Sequence, residues 1–371
     1  FGPMDFVERL EILCRAVDAD TGLHNSGRAS VYFVLLRNAE ARLRIQDTLS
    51  RHPAIHDEVI DRPVIVAGLP RSGTTHLLNL MAADRRFRSL PYWESCEPVP
   101  TPGEPETVAG EDPRYTRSRE SWEQTDALMP LLKAMHAMTP DHIHEELELM
   151  CPDFASYNYE WLFTAPSWRD HYLGTDQTPH YRYMRTALKL LQWQDRRRGE
   201  PVRRWVLKCP QHLEQLPVLM ATFPDATVAI THRDATSVIA SSATMMSYGD
   251  RMRRERPNPP EAAAYWADRA EILLSRCTAD RDVVPAAQSI DVRFHEFMAD
   301  DIAMVERIYA VAGIEMTPEA RADLDAYMAA NPRGAHGRIV YDMAEDFGID
   351  RDELRGRFAA YMERFGVQPE G

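Results

Sequence analysis

No two cysteines stand at C-x-x-C spacing. The five present, at positions 14, 96, 151, 209 and 277, are scattered along 371 residues. That pattern excludes a zinc ribbon or a disulfide framework, and points to reduced thiols in a cytosol. No apolar run reaches about eighteen residues, so no membrane span is expected. The opening residues Phe1-Gly2-Pro3-Met4 lack a basic n-region and an apolar h-region, so no signal peptide is expected and the location reads as cytoplasmic. Positive charge is in deficit: 43 Lys and Arg stand against 57 Asp and Glu, a formal charge of −14. Broad nucleic-acid binding needs a basic face and is not expected. A small anionic ligand must then be drawn in by a local basic pocket. The H-E-x-x-H pattern is missing, and no internal repeat or clear linker divides the chain. What remains, 44% hydrophobic and 27% charged residues, is ordinary globular composition.

The chain is organised around Pro63 to Leu78. Val64 to Ala67 is a short apolar run rich in β-branched residues, as an interior parallel strand requires. Gly68, Pro70 and Gly73 then break it, and Thr74, Thr75 and the run His76 to Met81 open a helix. Backbone N–H groups at such a turn, with the positive end of the helix dipole, make an anion cradle. The loop is therefore expected to hold a phosphate. Gly68 and Gly73 have the spacing of a P-loop, but Thr74 stands where an NTPase carries its Lys. The cation of this loop is Arg71, earlier in the turn.

Residues 5 to 60 read as two helical units broken between Gly22 and Gly27, from apolar positions such as Leu10, Leu13, Val17, Val34, Leu35, Leu43, Ile45 and Leu49. A helical layer is the expected role; a wall of an acceptor pocket or a dimer contact is the second reading. Asp141-His142-Ile143-His144-Glu145-Glu146 invites a metal reading, but a solvated helix start with acidic residues in its first turn is expected instead. Six aromatics between Tyr157 and Tyr172 form either core or an apolar acceptor pocket. Arg204 to Lys208 is a strand, Gln211 to Phe223 a helix, Ala226 to His232 a strand, and Asp234 caps the next helix. This βαβα run implies right-handed crossovers and a parallel sheet. Residues 248 to 260, polar, basic and Pro-rich, read as a mobile loop, Ser289 to Phe294 as a late strand, and Asp352 to Phe365 as a terminal helix.

Arg233 ends the second of those strands, and Ser241 follows about two helical turns on. An Arg beside a helix N-terminus can hold an anion, and a Ser hydroxyl can add a hydrogen bond. Lys208 ends the strand before, where ligands of open α/β sheets gather.

Pro70-Arg71-Ser72-Gly73-Thr74-Thr75 resembles the 5′-phosphosulfate loop of sulfotransferases that use 3′-phosphoadenosine 5′-phosphosulfate (PAPS). Arg233 and Ser241 resemble that family's 3′-phosphate site, Lys208-Cys209-Pro210 its Lys-x-Pro, and Arg333-Gly334 its C-terminal basic-Gly contact. The likeness covers residues 62 to about 245 and is nearest the bacterial and protein-tyrosine-type branch. His76 stands where cytosolic members place a Trp against adenine.

The resemblance implies an α/β fold: a P-loop-type parallel sheet flanked by helices, with residues 1–60 an N-terminal helical extension and 61–371 the PAPS-binding domain. It implies in-line sulfuryl transfer to a hydroxyl or amine of a small acceptor, aromatic or lipophilic in character, giving 3′-phosphoadenosine 5′-phosphate (PAP). Arg71 and Lys208 then stabilise charge on the departing phosphate, and no metal is expected. Glu94, 23 residues beyond Arg71, is the candidate base; His136 is the fallback, since the cytosolic branch uses a His. A P-loop kinase and a non-catalytic nucleotide-binding module are the alternatives. The first lacks the Walker Lys, and the second leaves Arg71, Lys208 and Glu94 without a purpose.

Overall fold

The structure, a computed structural model, describes residues 1–332 and 342–370. Its chain divides into two compact units. One comprises Phe1–Ile60, Leu90–Val202 and Met246–Pro257; the other comprises Asp61–Ser89, Arg203–Met245 and Asn258–Gly371.

The second unit holds the sheet. Strands β1 (Val64–Gly68), β2 (Phe87–Arg88), β3 (Arg204–Lys208), β4 (Thr227–His232) and β5 (Ser289–Arg293) lie in the order β2-β3-β1-β4-β5. Every pairing is parallel. β1 is central, with Val64 opposite both Val206 and Thr227. All residues of β1 and β4 are buried, which is why both read as unbroken apolar runs rather than alternating ones. Parallel pairing puts the C-terminal ends of β1, β3 and β4 along one edge. The two-residue β2 left no sequence signal. The segment after β3 is a 3-10 turn, Pro210–Glu214, followed by the helix Leu216–Thr222 rather than one continuous helix. Glu214 in that turn is fully buried and paired in a fork with Arg269, at 2.6 and 2.7 Å. Breaking such a desolvated pair typically costs about 3–5 kcal/mol. The C-terminal helix is likewise split, into Arg351–Gly356 and Ala359–Phe365.

The first unit is helical. Phe6–Ala19 and Asn25–Arg51 are the two expected helices, and the second is capped by His24 Nδ1, which accepts from Gly27 N at 2.9 Å. A Cβ on Gly27 would fall 2.1 Å from the Arg253 carbonyl oxygen, so glycine is required there. Residues 251–257 are tied down, not loose: Arg254 forks Asp20 and bridges Leu23. The aromatic stretch resolves as core. Phe154, Tyr159, Phe163, Trp168 and Tyr172 are all buried, packed with Phe6, Leu13, Val17 and Leu35. Asp153, buried in this unit, is paired with Arg9 at 3.0 Å, Arg42 at 2.7 Å and His180 at 2.5 Å, so its burial is compensated. The stretch from Asp141 is not a helix start. Ile143 pairs antiparallel with Pro91, and helix begins only at Leu147. Backbone pairing to a distant segment has overridden the local acidic signal. Among the described residues no helix is long and apolar enough to cross a membrane.

Candidate functional site

β1 delivers the chain to its turn at Gly68. A Cβ there would sit 1.8 Å from Thr231 Oγ1 on β4, so only glycine lets the strands stay in register at this edge. Arg71 adopts a left-handed backbone (φ 64°), as does Gly73 (φ 86°). For a non-glycine residue that conformation costs roughly 1–2 kcal/mol, so the surrounding contacts must hold it. They do. The buried Ser72 hydroxyl donates to Leu69 O at 2.6 Å and lies 2.8 Å from Thr231 Oγ1. Arg71 O accepts from Arg233 Nη1 at 2.6 Å. The nine-residue helix Thr74–Ala82 then starts at Gly73, and its first N–H groups have no intrahelical acceptor. Pro70 and Thr74 are buried; Thr75 and His76 are half-buried.

Four residues that the sequence set apart, Arg71, Lys208, Arg233 and Ser241, come together here. Arg71 Nε donates to Ser241 Oγ at 3.0 Å, across 170 positions, and Arg233 reaches the Arg71 carbonyl. Lys208, 2% exposed at the end of β3, places Nζ 3.4 Å from Thr75 Oγ1. The Arg233 guanidinium also lies 3.9 Å from the centre of the Phe294 ring. Its Nε and Nη2 grip the Glu370 carboxylate at 2.7 and 2.6 Å. Glu370 is fixed in turn by Asp234, which accepts from its N–H at 2.9 Å, and by Arg355, which donates to its carbonyl at 2.7 Å. The fork on Arg233 is thus filled by a carboxylate, in the two-pronged geometry that guanidinium also offers a phosphate. Sequence reasoning missed Glu370, which lies in no motif, and read Thr231 only as part of a strand.

His76 turns toward another set of groups. Its Nε2 is 3.3 Å from Asp301, and its ring packs near Phe297 and Tyr327. Arg333 and Gly334 lie outside the described residues.

Glu94 and His136 belong to the first unit. Glu94 sits in the short helix Tyr92–Cys96, 1% exposed, with Arg198 at 3.8 Å. Its neighbourhood is buried and polar. Burial pushes the Cys96 thiol up to about 12 and the Cys151 thiol well above its usual value, so neither is a ready nucleophile. Burial alone would raise the Glu148 carboxyl, but contacts with His144, Arg37 and Asn158 outweigh it and hold it below the usual range. His136 lies near His142, with ring centres 5.3 Å apart.

Set against known proteins, residues 63–318 match the model of the sulfotransferase family. Among solved structures, sulfotransferase STF1 from Mycobacterium tuberculosis is 30% identical, with a TM-score of 0.82 over 96% of this chain and 92% of that one. Sulfotransferase STF9 from Mycobacterium avium has the same fold, with a TM-score of 0.84 at 24% identity over 99% of this chain and 92% of that one. A search of the curated proteins gave no match.

Proposed function

Because this chain belongs to the sulfotransferase family, we propose that it moves a sulfuryl group from PAPS to a hydroxyl or amine of a small acceptor, releasing PAP. One observation carries the donor reading: Arg71, Ser241 and Arg233 converge beside a helix N-terminus. The helix N-terminus and Arg71 suit a 5′-phosphosulfate, and Arg233 with Ser241 suits a 3′-phosphate. PAPS supplies both anions on one nucleotide and the sulfuryl group itself.

The chemistry asked of the chain is positioning and charge stabilisation. As the sulfur–oxygen bond to the donor phosphate breaks, negative charge grows on that phosphate. Arg71, Lys208 and the first N–H groups of Thr74–Ala82 are the donors that meet it, in the same sense as clamps on transferring phosphoryl groups. Glu94 takes the acceptor's proton. That role rests on its spacing from Arg71, its burial and its carboxylate chemistry. Residues 1–60 as an extension of a 61–371 catalytic domain, the aromatic or lipophilic acceptor, the cytosolic setting and any pairing of two copies rest on the sequence reading.

The donor reading is tested by calorimetry on Arg233→Ala with two ligands. PAP carries the 3′-phosphate, and adenosine 5′-phosphosulfate does not. A lost charge-assisted hydrogen bond weakens binding by about 1.5–3 kcal/mol, roughly 10- to 150-fold. That loss is expected for PAP and not for adenosine 5′-phosphosulfate. Equal losses for both would place the 3′-phosphate elsewhere.

A further inference from the structure

Three imidazoles meet in the first unit. His136 follows the helix Leu132–Met135, and His142 and His144 come six and eight residues later. Ile143 between them forms the antiparallel bridge to Pro91. Backbone bonds fix both flanks: Tyr92 N donates to His142 O at 2.9 Å, and His144 N donates to Leu90 O at 2.7 Å. His142 and His144 flank this bridge with ring centres 6.0 Å apart, and the His136 ring lies 5.3 Å from that of His142. One ring nitrogen from each of the three lies within 4.8 Å of the other two.

Imidazoles can cluster for packing alone, as rings edge to edge. Two further observations point to a ligand. Nδ1 of His144 is buried and has no hydrogen-bond partner among the described residues. Leaving such a buried nitrogen unsatisfied is unfavourable. The other nitrogen of the same ring, Nε2, faces the Glu148 carboxylate at 3.6 Å. Glu148 is itself held by Asn158 Nδ2 at 2.9 Å. A carboxylate behind an imidazole is the arrangement that orients a metal-ligating His and fixes which nitrogen is left to bind.

We propose that His136, His142 and His144 form a binding site for one divalent cation of the zinc type, with a fourth coordination position open to water or a small ligand. The donor set selects the class of ion. Three neutral nitrogens suit zinc, copper, nickel or ferrous iron, whereas magnesium and calcium require oxygen ligands. Zinc–nitrogen bonds of about 2.0–2.1 Å in tetrahedral geometry bring ligand nitrogens to about 3.3 Å from each other. The ring nitrogens must therefore close by up to about 1.5 Å to reach that geometry, by rotation of the half-buried His136 and His142 side chains. The sequence expectation of no metal rested on Arg71 and Lys208 stabilising the departing phosphate and on the lack of a clear metal cluster; these ligands instead flank a one-residue bridge and follow a short helix.

The test is titration of the whole chain, first stripped by a chelator, with Co²⁺ and then Zn²⁺. One equivalent of Co²⁺ is expected to bind with the visible d–d absorption of a low-coordinate nitrogen site and without thiolate-to-cobalt charge transfer. One equivalent of Zn²⁺ should displace it. His142→Ala and His136→Ala should each weaken binding at least as much as losing an orienting partner does, about 10- to 100-fold. Glu148→Gln should fall within that range. Melting of each metal-free variant checks that it still folds; His136, half-buried beside a turn, is the substitution least exposed to that problem. Three results overturn the proposal: no Co²⁺ bound at micromolar concentration, a spectrum dominated by thiolate charge transfer, or unchanged affinity in a folded His136→Ala.

Discussion

Arg233 already has an anion in its fork. Glu370 engages it with two short charge-assisted bonds and is little exposed, with 28% of its side chain accessible. A nucleotide phosphate seeking the same guanidinium must displace it. Glu370→Gln keeps the size and removes the charge, so PAP should bind more tightly, by up to about tenfold for 1.4 kcal/mol of lost competition. Calorimetry reads this directly, and weaker PAP binding would mean that Glu370 helps to build the site. Glu94 makes a different prediction. Glu94→Gln is nearly isosteric, so PAP affinity should persist while turnover of PAPS falls by about 10²–10⁴, the usual worth of a general base. The fall should shrink for acceptors with more acidic hydroxyls. Near-normal turnover in Glu94→Gln, together with its loss in His136→Ala at unchanged PAP affinity, would move the base to His136.

At the scale of elements, the loop depends on how closely β1 approaches β4. Gly68 and Thr231 are register partners, and a methyl group at 68 has Thr231 Oγ1 at 1.8 Å and Thr74 Cγ2 at 2.8 Å in its way. Overpacking of this kind costs about 1–3 kcal/mol. Gly68→Ala should therefore lower the urea midpoint and, because the same shift displaces the loop, weaken PAP binding. Thr231→Ala in the same chain removes the nearer clash and leaves the Thr74 contact, so the double variant should recover part of the stability. Recovery is the diagnostic, since neighbours in contact are expected to be non-additive. Loss that simply adds would mean that the strands relax and the close approach carries no strain.

Acid stability reads the fold as a whole, through a buried network that ties β4 and β5 to the C-terminal helix. His232 Nε2 lies 2.9 Å from Asp291 and its Nδ1 lies 3.1 Å from the Tyr361 hydroxyl. The ring stacks on Phe365, and Arg281 pairs with Asp291. Burial lowers the His232 imidazole pKa below its ordinary value, with Arg281 and Arg293 adding to the effect; Asp291 opposes it. The Asp291 carboxyl would rise on burial, but His232 and Arg281 hold it at about 2. Unfolded His takes up its proton near pH 6.5, while folded His232 resists. The unfolded state therefore binds more protons below that pH, and stability is lost as pH falls through it, by up to about 1.4 kcal/mol per pH unit. Asp291 adds a second loss between pH 3.8 and about 2. Urea midpoints at pH 7.5 and 5.5 should differ accordingly, with a shallower dependence in His232→Gln. A flat profile in the wild-type chain would show that His232 protonates without strain.

Much of this protein was legible from short-range signals. The unbroken apolar runs of β1 and β4, the breakers Gly68 and Gly73, and the alternation of strand and helix from Arg204 onward specify a parallel sheet, because each signal spans only a few residues. Lys208, Arg233 and the loop were visible as candidates because they follow such runs. What tertiary structure decided lies at long separation. Ser241 meets Arg71 across 170 positions, and Glu370 reaches Arg233 across 137. No local pattern encodes either contact, since both depend on which strands become neighbours. The same holds for residues 141–146. Their composition favours a helix start, but Ile143 pairs with Pro91 instead, and His142 and His144 flank that bridge with ring centres 6.0 Å apart. The sequence determined which groups can bind anions and move protons; packing of distant segments decided which of them meet.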